Sequence, residues 1–186
     1  MGILKDKKGL VIGIANQRSI AWACARAFYK AGATLGGTWL SDKSRPHVEP
    51  LLDALGADIR RPLDVLDDSQ MQGLFEEVQR RWGRLDFLLH SIAFAPKADL
   101  LGRLVDSSRD GFGVAMDVSC HSFIRLARQA EPLMTEGGSL ITMSYLGSSE
   151  VVRNYGIMGP VKAALESATR YLAAELGPAG IRVNAI

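Results

Sequence analysis

The chain has 186 residues, 47% apolar and 23% charged, with a formal net charge of +2, the proportions of an ordinary globular protein with a sizeable core. So small a charge, without a lysine or arginine block or interleaved aromatics, leaves no footprint for nucleic acid, and no apolar run approaches the ~18 residues of a membrane span. The N-terminus lacks a signal-peptide cleavage pattern, and Cys24 and Cys120 read as buried thiols without ligand-like spacing, so the expectation is a single cytoplasmic domain.

In chain order the pattern alternates between strand and helix. Leu10-Val11-Ile12 is a continuous apolar run, as expected of a parallel strand buried on both faces. A helix is predicted from about Ser19 to Ala31 and a second strand from Ala33 to Trp39. Val48, Leu51, Leu52 and Leu55 mark a helix ended by Gly56, and Asp58 to Leu63 a weaker strand. Met71, Leu74, Phe75, Val78 and Trp82 give a further amphipathic helix, stopped by Gly83. Leu85 to His90 is the fourth strand, followed by one long helix from about Gly111 to Met134 and a fifth strand through Leu140–Met143. Val161, Leu165, Ala168 and Leu172 repeat at helical spacing, and Gly180 to Ile186 closes the chain as a sixth strand. This is the pattern of an α/β doubly wound parallel sheet, Rossmann-like, with helices on both faces and ligands bound outside the carboxyl ends of the strands.

The informative residues fall at those strand ends. After the first strand, Gly13-Ile14-Ala15-Asn16-Gln17-Arg18-Ser19-Ile20 is a small-residue turn into a helix N-terminus, suited to a pyrophosphate, although of a GxGxxG pattern only Gly13 is present. Ser19 is placed either to cap the helix or to donate its hydroxyl to a phosphate. Asp64-Val65 follows the third strand, where the carboxylate meets either an adenine edge or a helix N-terminus; Asp67 and Asp68 serve the latter better. Ser91-Ile92-Ala93-Phe94-Ala95-Pro96 leaves the fourth strand as a small-residue segment able to pass under a ribose. Each site also fits a plain loop; together, at the ends of strands one, three and four, they point to a dinucleotide. His47, His90 and His121 share no spacing suited to a metal.

Between the fifth strand and the next helix lie Tyr145, Tyr155 and Lys162. On a continuous helix the seven residues from Tyr155 to Lys162 turn through about 700° and rise roughly 10 Å, which puts both side chains on one face. An ammonium there favours the phenolate and makes the phenol a stronger acid toward an oxygen that becomes negative during a reaction. The same residues also suit a packing tyrosine at a helix start and a solvated lysine.

Taken together, GIANQRSIAWA (Gly13–Ala23), LDFLLHSIAFAPK (Leu85–Lys97), SYLGSSEVV (Ser144–Val152), NYGIMGPVKAALE (Asn154–Glu166) and RYLAAELGPAGIRVNAI (Arg170–Ile186) resemble the enoyl-acyl-carrier-protein reductases of bacterial fatty-acid synthesis, a divergent branch of the short-chain dehydrogenase/reductases. The most specific mark is Tyr155-x6-Lys162; ordinary superfamily members use Tyr-x3-Lys, which needs a tyrosine where this chain has Met158. The resemblance implies hydride transfer from NADH, with NADPH as the alternative, to a trans-2-enoyl thioester of acyl carrier protein. Tyr155 would bond the thioester oxygen, Lys162 the nicotinamide ribose, and Tyr145 would line the acyl pocket, with Ala95 and Met158 also against substrate. Gly13, Ala15, Ser19, Ile20, Asp64, Val65, Ser91, Ile92, Ala93 and Lys162 would carry the dinucleotide. A homotetramer is implied, with Arg103 and Arg109 as surface contacts for the acidic carrier protein. No metal, nucleic acid or membrane enters this picture.

The sequence departs from the family pattern in places. Arg153 stands where proline is usual and Gly156 where asparagine is usual. Pro160 interrupts the helix unless the regular helix begins near Gly159, in which case Tyr155 lies off it. Leu40 replaces a polar residue near the adenosine, Asp42 comes late, and Lys43 and Arg45 suit a 2′-phosphate. The family continues beyond VNAI with a substrate-covering segment and a seventh strand, so residues 1–186 alone are expected to be a poor catalyst with the sixth strand as an open edge. Two alternatives remain: another short-chain-type NAD(P)H reductase, and a catalytically degenerate dinucleotide-binding protein.

Overall fold

Alternation along the strands sets the architecture. In β1 (Lys8–Ile12), Leu10 and Ile12 point into one apolar cluster and Val11 into another, and in β4 (Phe87–His90) Leu88 takes the first side while Phe87 and Leu89 take the second. A strand buried on both faces needs helices on both, and the computed structural model, which describes residues 2–186, has them. Six strands form one parallel sheet in the order β3-β2-β1-β4-β5-β6, with β2 at Thr34–Trp39, β3 at Ile59–Pro62, β5 at Gly138–Thr142 and β6 at Ile181–Ala185. The register pairs Ile12 with His90 and His90 with Thr142.

Helices α1 (Ile20–Lys30) and α2 (Arg45–Ala54) cover one face through Trp22, Ala25, Val48 and Leu52. The other face carries α3 (Asp68–Trp82), a segment from α5 (Arg109–Met116) to α6 (Ser122–Ala130), and α7 (Met158–Leu176). Asp67 caps α3, accepting from the amides of Ser69 at 2.9 Å and Gln70 at 3.1 Å. The strand order reverses between β1 and β4, so a crevice opens at their carboxyl ends, the place where open α/β sheets bind ligands.

Three expectations are corrected. The predicted single helix over Gly111–Met134 is broken by a π-helical turn at Asp117–His121 and gives way to a 3-10 turn at Glu131–Leu133. Its serines use their hydroxyls away from the helix ladder's plain pattern: Ser122 donates to the Val118 carbonyl at 2.6 Å, and Ser119 reaches the loop after β4. A short helix, α4 (Lys97–Leu101), and a 3-10 turn at Leu104–Asp106 fill the stretch before this segment, for which the sequence pattern predicts no element; they are too short to show a period. Finally, α7 begins at Met158, so Pro160 is its third residue, within the first turn where an amide has no helical partner. Tyr155 therefore lies in the loop before α7, and the rotation of a continuous helix does not describe its relation to Lys162.

Candidate active site at the strand ends

A cavity of about 910 Å³ runs across the carboxyl ends of β1, β3, β4 and β5. Its lining brings together Gly13, Ala15, Ser19, Ile20, Asp64, Val65, Ser91, Ile92, Ala93, Tyr145, Tyr155 and Lys162. Ala95 and Met158 do not line it; Met158 is buried in the core cluster beside Ile157 and Val161, where its thioether serves packing. Arg103 and Arg109 lie outside it, Arg103 paired with Asp106 at 3.5 Å.

At the β1 end, Gly13 has φ +103°, and a Cβ there would fall 2.1 Å from the Ser91 carbonyl oxygen. Only glycine lets the turn after β1 and the exit from β4 press together. The Ser19 side chain makes no capping bond to α1; its hydroxyl donates to the Asn16 carbonyl at 2.7 Å and tightens the turn. Asp64 likewise caps no helix, and its Oδ1 accepts the Leu66 amide at 3.0 Å. Beyond β2, Arg45 is held bidentately by Glu49 at 2.9 and 3.0 Å and lies over the Trp39 ring. The guanidinium that suits a 2′-phosphate is thus already engaged.

At the β5 end, Tyr145 and Tyr155 meet with ring centroids 4.6 Å apart at 54°. Gly147 makes room for this pair, since a Cβ there would lie 2.5 Å from the Tyr155 ring. Gly156 has φ +47°, and its missing Cβ would strike the Leu100 carbonyl at 2.3 Å, so the loop carrying Tyr155 closes against α4 only with glycine at this point. Lys162 is 4% exposed and donates from Nζ to the Met143 carbonyl at 2.6 Å, which anchors its ammonium at the end of β5. Burial lowers its pKa from the usual lysine value. The Tyr155 phenol is pushed above its ordinary value of 10.0 by burial first and by Tyr145 second. This corrects the expectation of a more acidic phenol: at neutral pH Tyr155 is a hydrogen-bond donor with its proton in place.

Behind this end lies a buried polar network that sequence reasoning missed. His90 is fully buried and its pKa is lowered to about 3, by burial and then by the Lys162 charge. Its Nε2 lies 2.9 Å from Ser122 Oγ and its Nδ1 lies 2.8 Å from Thr142 Oγ1. Because the Ser122 hydroxyl spends its proton on Val118, it accepts from Nε2–H, which assigns Nδ1 as the acceptor of the Thr142 hydroxyl. Ser119, from the π-helical turn, accepts the Phe94 amide at 2.9 Å and donates to the Phe94 carbonyl at 3.1 Å. Both bonds clamp the loop that walls the cavity. The available signal was a serine pair, Ser119 and Ser122, at positions that continue the spacing of the core residues Ala115 and Leu126, but their partners are 25 and 32 residues away.

Volume and donor set fit a dinucleotide: the cavity is near the upper end of the ~300–1,000 Å³ range of ligand pockets, with a backbone turn for phosphates at one end and an anchored ammonium at the other. Fold and site thus define a dinucleotide-binding α/β protein with a tyrosine–lysine pair at the reacting end.

Comparison with known proteins agrees. The family model described as Enoyl-(Acyl carrier protein) reductase matches residues 13–186. An enoyl-acyl-carrier-protein reductase (NADH) of Rhizobium meliloti is 45% identical over 185 residues, covering 100% of this chain and 68% of that protein. One from Nostoc sp. is 49% identical over 186 residues, covering 98% and 72%. The crystal structure of the Anaplasma phagocytophilum reductase in complex with NAD superposes with a TM-score of 0.96 at 45% identity, covering 100% of this chain and 71% of that one. The Aquifex aeolicus structure gives 0.96 at 42%. This chain belongs to the enoyl-acyl-carrier-protein reductase family.

Proposed function

We infer that the protein reduces trans-2-enoyl thioesters of acyl carrier protein with NADH, an oxidoreductase step of fatty-acid elongation. The observation that carries the reading is the meeting of Tyr155, Lys162 and the Gly13–Ile20 turn in one cavity, on a chain 45–49% identical to enoyl-acyl-carrier-protein reductases (NADH).

NADH, when bound, supplies the hydride that reaches the β-carbon of the enoyl group. As that bond forms, the electron pair of the double bond moves toward the thioester, and the carbonyl oxygen gains negative charge. Tyr155, protonated and half-buried, donates a hydrogen bond to this oxygen, and the charge is stabilised where it develops. A proton taken from solvent then adds at the α-carbon and completes the saturated acyl thioester. Lys162, held at the Met143 carbonyl, has further N–H groups for the hydroxyls of the nicotinamide ribose and keeps positive charge at this end. Tyr145 packs on Tyr155 and lines the acyl side. Of the cavity's lining, Gly13, Ala15, Ser19 and Ile20 would hold the diphosphate, Asp64 and Val65 the adenine, and Ser91, Ile92 and Ala93 the ribose. We place the protein in the cytoplasm as a homotetramer in which the α5–α6 segment and α7 pair across subunits.

The test is oxidation of NADH by the complete native protein with an enoyl thioester, with the saturated acyl thioester identified as product. Consumption of NADH with stoichiometric saturated product is expected. Reduction of a ketone instead of the carbon–carbon double bond, or binding of NADH without turnover, would overturn the reading in favour of a different reductase or a degenerate binder. Light scattering at a four-chain mass tests the tetramer.

A further inference from the structure

Three charged residues line the cavity: Asp64, Arg153 and Lys162. Asp64 is at the β3 end, and Lys162 is buried on the Met143 carbonyl. Arg153 differs from both. It is exposed, and it forms no ion pair with any carboxylate among the described residues. Its backbone is fixed by a turn in which the Tyr155 amide donates to the Val152 carbonyl at 3.3 Å, with Asn154 at φ +63°. The chain therefore presents a guanidinium at the cavity lining, two residues from Tyr155, and that group makes no hydrogen bond or ion pair among the described residues.

An arginine so placed is built for an anion, since its planar fork matches phosphate and carboxylate oxygens. The diphosphate of the dinucleotide belongs at the Gly13–Ile20 turn after β1. Arg153 lies on the loop between β5 and α7, and in the sheet β4 stands between β5 and the β1 end that carries the Gly13–Ile20 turn. The other reactant brings an anion of its own to the β5 end. The acyl group of a carrier-bound thioester arrives on a phosphopantetheine arm, and its phosphate is the negative group nearest the reacting carbons.

We propose that Arg153 recognises the phosphate of the arm that delivers the enoyl thioester, making it a specificity-determining residue for carrier-bound substrates. The inference rests on the enoyl-reductase reading above. The ammonium of Lys162 faces the cofactor, so the two cations divide the reactants between them: one orients the ribose, the other the substrate's arm. The exposed Tyr145 and Val151 flank the same loop and supply apolar surface to the methylenes between phosphate and thioester.

The experiment compares two substrates that differ by the phosphate alone, an enoyl-pantetheine thioester and its 4′-phosphopantetheine counterpart. The complete native protein and the variants Arg153→Gln and Arg153→Lys are assayed with NADH. The native protein is expected to favour the phosphorylated substrate in kcat/KM by about tenfold, a preference that falls with added salt. Arg153→Gln removes the preference, and Arg153→Lys restores part of it. Equal kcat/KM for the two substrates in the native protein overturns the inference alone, as does a preference that survives in Arg153→Gln. A change in Arg153→Gln confined to the KM for NADH also overturns it and assigns the guanidinium to the cofactor. A native protein that turns over neither thioester overturns this inference and the enoyl-reductase reading together.

Discussion

The two ends of the cavity are built by different means. The β1–β2–β3 end is a product of local chain: a glycine turn at Gly13, a serine that tightens its own loop through Asn16, and an aspartate bonded two residues ahead. The β4–β5 end is held by long-range polar contacts: Lys162 to Met143, Ser119 to Phe94, and His90 between Ser122 and Thr142. Binding a dinucleotide asks for backbone amides and close approach, which a short segment provides. Placing a donor against a developing charge asks for rigidity, and buried, fully satisfied hydrogen bonds supply it. Perturbing the reacting end should therefore be far more costly to rate than perturbing the adenosine end.

The largest expected effect is that of Lys162→Met, which keeps the side chain's length and apolar stem but removes the ammonium. Steady-state kcat/KM should fall at least about a hundredfold, with the KM for NADH raised. Tyr155→Phe keeps the ring packed on Tyr145 and deletes one donor to the oxyanion; kcat should drop about 10²-fold or somewhat less, with the KM for NADH little changed.

Ser119→Ala leaves both polar groups of the Phe94 peptide without their partner and frees the loop that walls the cavity. Ser119 acts as a positioning residue, so the KM for the thioester should rise about fivefold, more than kcat falls, and Ser119→Thr should recover much of the loss. A loss in Ser119→Ala that tracks thermal stability alone, and that threonine does not rescue, would show the clamp to be structural.

Acid stability distinguishes the network behind this end. The folded pKa of His90, about 3, lies below the unfolded value of 6.5, so the folded state binds fewer protons than the unfolded one in between. Stability is present above pH 6.5 and is lost as pH falls through this window toward 3. Between pH 7 and about pH 4.5 the His90 contribution is about 2 to 3 kcal/mol. His90→Gln, whose amide can still bond Thr142 and Ser122, should flatten that part of the urea-midpoint profile; an unchanged slope would argue that carboxylates dominate.

The smallest effect belongs to the adenosine end. Glu49→Gln releases Arg45 from its bidentate pair, and the ratio of NADPH to NADH turnover should rise a few-fold. If the ratio does not move, the guanidinium on Trp39 does not reach the 2′ position.

This contrast also explains what the amino-acid sequence made legible. Buried parallel strands announce themselves as apolar runs, and β1 through Leu10–Ile12 and β4 through Phe87–Leu89 were readable for that reason. The Gly13 turn and the Tyr155–Lys162 spacing were readable because each lies within a few residues. The π-helical turn was not, since the 3–4 spacing from Ala115 to Leu126 runs without a break through Ser119 and Ser122, whose partners are on distant loops and strands. The acidity of Tyr155 was misjudged because spacing shows neither burial nor the second phenol packed on it, and both raise its pKa. Met158 looked available beside Tyr155, yet it opens α7 with its side chain in the core.

The central claim is a division of labour between two side chains: Tyr155 acts on the substrate's oxygen and Lys162 on the cofactor. Steady-state kinetics of the complete native protein, Tyr155→Phe and Lys162→Met, with NADH and an enoyl thioester both varied, tests it most directly. The account predicts that the tyrosine variant loses kcat at nearly constant KM for NADH, and that the lysine variant loses both. Native rates in both variants, or a tyrosine variant whose defect lies wholly in NADH binding, would contradict it.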